Sequence, residues 1–291
     1  MAIQFFISFV FICIFTACSP SQKITASYEL HPEIEVKTDE RVSDLCHRLE
    51  KEGYSDCVSF EKISESENYN YNFIPVAGSK NRFEGLFAPG KYVVSLVYFE
   101  CKNIPLQKEK CSEERLRNTK IIISYLLEKS QERFKSFPSD KIRNWIILAS
   151  IVEKEAASNK YYDKIASTFY NRMNQNMTLG SCPTVEYALG YHRPFLLFKD
   201  LELDSPYNVY KKKGLPPGPI SFFSDEALSA VVKPIQTKYL FFVYDWTSGE
   251  MFFSENYEQH KRFAGDARKR FVEKFGKEEI HKLFPDKYYE L

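Results

Sequence analysis

Apolar and polar positions follow their clearest pattern in Trp145-Ile-Ile-Leu-Ala-Ser-Ile-Val-Glu153-Lys-Glu155, an apolar run that ends in two carboxylates. Its length predicts a helix, with Ser139 as N-cap and Asp140 in the first turn. Counting back from Glu155 by three, four and seven meets Val152, Ile151 and Leu148, so Glu155 ends a stripe expected to be buried. The same count from Glu153 meets Ser150, Ala149 and Ile146, a smaller and more polar face. The two acids therefore point to opposite sides of the helix and cannot act as a dyad. A carboxyl held against aliphatic side chains loses hydration, and its pKa rises toward the range of a general acid. Spacing alone also fits a core helix whose polar end surfaces at Glu153, Lys154 and Glu155.

The rest of the chain alternates helices with a few strands, an α+β pattern. Val42 to Leu49 reads as a short helix ending at Gly53, and residues 62–72 as a polar linker. A strand is expected over Tyr92 to Phe99 and a long helix over 112–137, with Ile121, Ile122, Tyr125, Leu126 and Phe134 facing inward. Ile165, Phe169 and Met173 recur at intervals of four in a helix over 160–173. Gly180 to Thr184 is a turn, with Pro183 opening the next short helix. Gly214-Leu-Pro-Pro-Gly-Pro-Ile220 is a rigid loop able to approach a ligand closely. Ser224 caps a helix through Val232, a hairpin joins 239–244 to 250–254, and a final helix carries His260.

Composition changes this picture little. With 40 basic and 39 acidic residues, nothing recommends nucleic acid as a partner. Phe, Trp and Tyr make up 16% of the chain, which suits a sugar-binding surface and a bulky core equally. The ends and the cysteines say more. Residues 2–17 are almost wholly apolar, too short for a span of roughly twenty residues but suited to a signal-peptide core. Phe15-Thr-Ala-Cys18 resembles a lipobox, which makes Cys18 a candidate lipidation site; an uncleaved signal anchor is the alternative. Either places the rest of the chain outside the cytoplasmic membrane. There, Cys46 with Cys57, and Cys101 with Cys111, could close short disulfide loops; five free buried thiols, Cys182 included, are the other reading. No C-x-x-C pair occurs, so no zinc site is expected; no other metal and no cofactor is expected.

Taken in order, Ala149-Ser-Ile-Val-Glu-Lys-Glu155, Asn171-Arg172, Pro183-Thr-Val, Tyr207-Asn-Val-Tyr210, Gly214 to Ile220, Tyr239 to Val243, and Phe253 with His260 resemble the endolytic murein transglycosylase (YceG-like or MltG-like) family over roughly 83–265. The resemblance implies a mainly helical α+β catalytic domain at 83–291 with small hairpin and sheet elements. A leader at 1–18 and a short, truncated N-terminal α+β segment with linker at 19–82 would precede it. It further implies a membrane-anchored envelope enzyme that cuts β-1,4 bonds inside nascent peptidoglycan strands, leaves 1,6-anhydro ends, and works beside the elongation machinery. The second glutamate of the Glu-Lys-Glu run, here Glu155, would be its catalytic acid. Sugar contacts would come from Asn171, Arg172, Thr184, Tyr207, Asn208 and Pro217; for Asn171, Thr184, Tyr207 and Asn208, a structural cap or core hydrogen bond is equally open. Asp163 and Glu186 could supply a second carboxylate but are expected on solvated helix faces. Cys182 and Gly90 stand where the family usually has acids. A catalytically inactive glycan-binding scaffold on the same fold is therefore the alternative.

Overall fold

The structure is a computed structural model and describes residues 28–98, 108–191 and 196–276. The leader, Cys18 and Cys101 lie outside the described residues. The α+β class expected from the pattern is the one observed.

The N-terminal part comprises β1 (Tyr28–Leu30), β2 (Glu33–Val36), α1 (Val42–Lys51) and α2 (Cys57–Ser66). Helix α2 begins where Asp56 accepts a hydrogen bond from the Ser59 amide, and its end, residues 62–66, takes the first part of the stretch expected to be a linker. The single strand expected over 92–99 is two, β3 (Gly90–Val93) and β4 (Leu96–Tyr98), parted at Val94 and Ser95. Antiparallel pairing joins β2 to β3 and β1 to β4, with Ile34 opposite Tyr92 and Glu29 opposite Val97. Strands from 19–82 thus pair with strands from 83–291, and one hydrophobic core runs through Ile34, Leu45, Phe87, Leu126, Ile151 and Phe222.

A disulfide joins Cys46 on α1 to Cys57 at the start of α2. Cys111 is also disulfide-bonded, and Cys182 is a free thiol. Closing a loop of this size should stabilise the fold by about 2–3 kcal/mol. Replacing Cys46 and Cys57 by Ala should lower the free energy of unfolding in denaturant by that amount.

Helix α3 (Lys108–Phe134) leads to α4 (Ile142–Glu155), which packs against α5 (Tyr162–Asn174), α6 (Cys182–Leu189) and α8 (Asp225–Val232). Ser139 does not cap α4. The N-cap is Lys141, without a side-chain cap bond, and Ser139 Oγ instead accepts from Asn72 Nδ2 at 2.8 Å. Ile146 through Val152 are all buried, so this part of α4 is enclosed on every side, as at the centre of a domain, whereas Arg143 and Asn144 near its start are exposed. The smaller face behind Glu153 is therefore core too, with Ala149 and Ser150 fully buried. The chain leaves the helix at Ala156, which is extended. A 3-10 turn at Asn159–Tyr161 leads into α5, and short helix α7 (Phe198–Leu201), the hairpin β5 (Phe241–Asp245) and β6 (Glu250–Ser254), and α9 (Tyr257–Phe275) complete the described elements.

The rigid loop at 214–220 is held from two sides. Ser150 Oγ accepts from the Ile220 amide at 3.0 Å. Gly85, with φ of +68°, lies so close that an added Cβ would sit 2.6 Å from Pro219, a position open only to glycine.

Candidate active site

Glu155 sits in the last turn of α4, where the aliphatic stripe meets solvent. Val152, Ile151 and Leu148 are buried beneath it, as the spacing predicts. Its residue surface is only partly covered, yet the carboxyl itself is enclosed. Burial pushes its pKa to about 7; a hydrogen bond from Ser181 and the charge of Arg172 oppose this, and Glu186 adds to it. A carboxyl with that pKa is substantially protonated near neutrality and ionises readily once a proton is needed elsewhere.

Ser181 is the residue that sequence reasoning passed over. Its Oγ donates to Glu155 Oε1 at 2.6 Å, and the side chain is fully buried. It is placed by the turn before α6: the Gly180 amide donates to Val209 O at 3.0 Å, and Thr184 Oγ1 donates to Ser181 O at 2.7 Å. Gly180 has a φ of +57°, and an added Cβ would lie 3.3 Å from Arg172 Nη1, so glycine lets that guanidinium come close. The partners are separated by 26 residues, too far for a local spacing rule to connect them.

Arg172 donates through Nε to Leu240 O at 2.6 Å and through Nη1 to Leu179 O. These bonds hold its charge near Glu155 without a direct ion pair. Glu186 is buried, not solvated as expected, and its charge reaches Glu155; Asp163 is exposed. Cys182 Sγ lies 3.0 Å from Tyr210 Oη.

The other expected contact residues divide. Asn171 Nδ2 donates to Thr237 O and Tyr239 O, each at 2.9 Å, tying α5 to the segment before β5. Asn208 is fully buried and donates to Leu201 O and Leu203 O. Thr184 supports Ser181. Tyr207 is half-buried and packs on Tyr187, ring centroids 4.8 Å apart. Pro217 is exposed, and its carbonyl accepts from Arg143 Nη2 at 3.0 Å.

Glu153 has a separate task. Its Oε2 accepts from the Ser224 amide at 2.9 Å and from Ser224 Oγ at 2.6 Å, while Ser224 Oγ caps α8 by accepting from the Ala227 amide. A carboxylate at a helix N-terminus is favoured there. Glu153→Gln should lower the unfolding free energy by about 1 kcal/mol and slow turnover less than about tenfold; chemical denaturation and initial rates check both.

The sequence profile of the YceG-like family matches residues 17–265, and the chain belongs to that family. The endolytic murein transglycosylase of Bacillus subtilis (strain 168) is 37% identical over 147 residues, 48% of this chain and 41% of that protein. That of Streptococcus pneumoniae serotype 2 is 31% identical over 194 residues, 64% of this chain and 32% of the relative. The chain therefore matches less than half the length of these relatives. A crystal structure of a yceG-like protein from Listeria monocytogenes, 28% identical, superposes with a TM-score of 0.54 over 80% of this chain and 76% of that one.

Proposed function

We infer that the chain is a lytic transglycosylase that cuts the β-1,4 bond after N-acetylmuramic acid inside murein strands and leaves a 1,6-anhydro end. The observation that carries this reading is Glu155, an enclosed carboxyl with a pKa near 7 and one fixed hydrogen-bond donor, Ser181. The names of the Bacillus and Streptococcus relatives support the substrate class.

One acid suffices for this chemistry. Protonated Glu155 gives its proton to the glycosidic oxygen as the bond from that oxygen to the muramic acid C1 breaks. An oxocarbenium-like centre develops at C1. The resulting Glu155 carboxylate takes the proton of the C6 hydroxyl as O6 bonds to C1. The acid is restored and no water is consumed. Ser181 fixes one oxygen of the carboxyl, and the Arg172 charge favours the ionised form that exists between the two transfers.

A hydrolase is the second reading, favoured by Glu186, a buried carboxyl whose charge reaches Glu155. Hydrolysis needs that second group as nucleophile or base; transglycosylation does not.

The enzyme would work in the cell envelope, held by an N-terminal lipid at Cys18 or by a signal anchor, beside the machinery that elongates the wall. Cells given a lipoprotein signal-peptidase inhibitor should accumulate a heavier, uncleaved form; an unchanged mass favours the signal anchor. Position of the cut is tested by sizing glycan strands after brief digestion. Internal cutting drops the mean length at low conversion, whereas release of disaccharides from strands of unchanged length contradicts it.

A further inference from the structure

A second group of side chains adjoins the active site through α6. Glu84 is buried, with 4% of its surface exposed. Its Oε1 accepts from the Val42 amide at 3.1 Å and its Oε2 from Tyr187 Oη at 3.3 Å. Asn81, held at a φ of +53°, also donates to Tyr187 Oη. These contacts tie the start of α1 to Tyr187, which packs on Tyr207, whose hydroxyl in turn lies 2.9 Å from where a Cβ on Gly218 would stand. Two arginines flank the tyrosine pair. The Arg41 guanidinium lies 5.1 Å from the centroid of the Tyr187 ring, and the charge of Arg143 reaches Tyr207. Among the described residues neither arginine forms a salt bridge. Among the described residues Arg143 makes one hydrogen bond, to Pro217 O, and the other donors of its fork have no partner there.

We propose that Arg41 and Arg143, set around Tyr187 and Tyr207, bind a carboxylate at the end of a peptide stem carried by the glycan strand. This rests on the murein reading above. Planar guanidinium forks match carboxylates in a bidentate manner, and tyrosine faces supply contact area beside them. The reach bounds which sugar can carry that stem. Arg143 and Glu155 are twelve residues apart on α4, about 18 Å along the helix axis. A stem of about five residues extends at most ~17 Å. A fully extended stem on the sugar at the cut is thus no longer than that axial distance, so the stem that brings its terminal carboxylate to this rim is carried by a sugar displaced along the strand toward Arg143, and the enzyme would favour strands whose stems are intact.

Binding, not cleavage, is the readout, so that failure of the transglycosylase reading remains distinguishable. Three glycan oligomers are titrated against the Glu155→Gln chain: one with intact stems, one stripped by an amidase, and one with its stem carboxylates amidated. The intact oligomer should bind about tenfold more tightly than the other two. Adding Arg41→Gln and Arg143→Gln should bring that ratio to within about twofold of one. Equal binding of all three oligomers, or a preference that survives both substitutions, overturns the proposal. So does displacement of the intact oligomer by a few millimolar inorganic phosphate, which would assign the rim to free phosphate.

Discussion

Glu155→Gln should reduce murein cleavage by at least about 10⁴-fold, the top of the range for a general acid–base group, while leaving the fold intact. Glutamine keeps the shape and can still accept from Ser181 Oγ, but it cannot deliver a proton. Stability should move the other way. An ordinary glutamate ionises near 4.5, whereas Glu155 is raised to about 7 in the folded chain. Between those values the folded state holds a proton that the unfolded state has released, so this group makes the protein less stable as pH rises. The melting temperature of the variant relative to the native chain should therefore climb from pH 5 to 7 and level off above. Native turnover should fall as pH rises through about 7, where Glu155 loses its proton. Glu186→Gln is the control. Loss of its like charge should lower the Glu155 pKa, move that alkaline limb to lower pH, and slow the reaction less than about tenfold. A Glu186→Gln variant as inactive as Glu155→Gln would favour the hydrolase.

Ser181→Ala should slow turnover by about 10- to 100-fold, since a misplaced catalytic group can cost that much. Its hydroxyl holds one carboxyl oxygen at 2.6 Å and lowers the Glu155 pKa against the effect of burial. Without it the carboxyl is less fixed and harder to ionise. The alkaline limb of the pH–rate profile should thus shift upward while the plateau falls. A lower plateau with an unmoved limb would mean that Ser181 serves the fold around α6 and not the acid.

How much of this could be read from the chain depended on how local each cause was. The buried stripe behind Glu155 was legible because Leu148, Ile151 and Val152 lie within two turns of the same helix. Ser224 as cap and the hairpin across 245–249 were local as well. Helix α2 was missed because its charged residues obscure the small inward face of Ser59, Phe60 and Ile63. Ser139 looked like a cap on residue type alone, yet tertiary contact with Asn72 claims its hydroxyl. Glu186 reads as solvated on any helical wheel, and its burial comes from elements distant in sequence. The pairings Ser181 with Glu155, Glu153 with Ser224 and Glu84 with Tyr187 join residues that no periodicity connects. Asn171 and Asn208, for which sugar contact and structural hydrogen bond were equally open, donate to backbone carbonyls.

Digestion of purified murein in heavy-oxygen water, followed by mass spectrometry of the muramic acid ends, tests the single-acid mechanism most directly. If O6 of the sugar attacks C1, the new ends are lighter by one water than hydrolysed ends and carry no label. Full-mass ends bearing heavy oxygen would contradict the account, because they require a water nucleophile and a second carboxylate to activate it or to form the intermediate that it attacks.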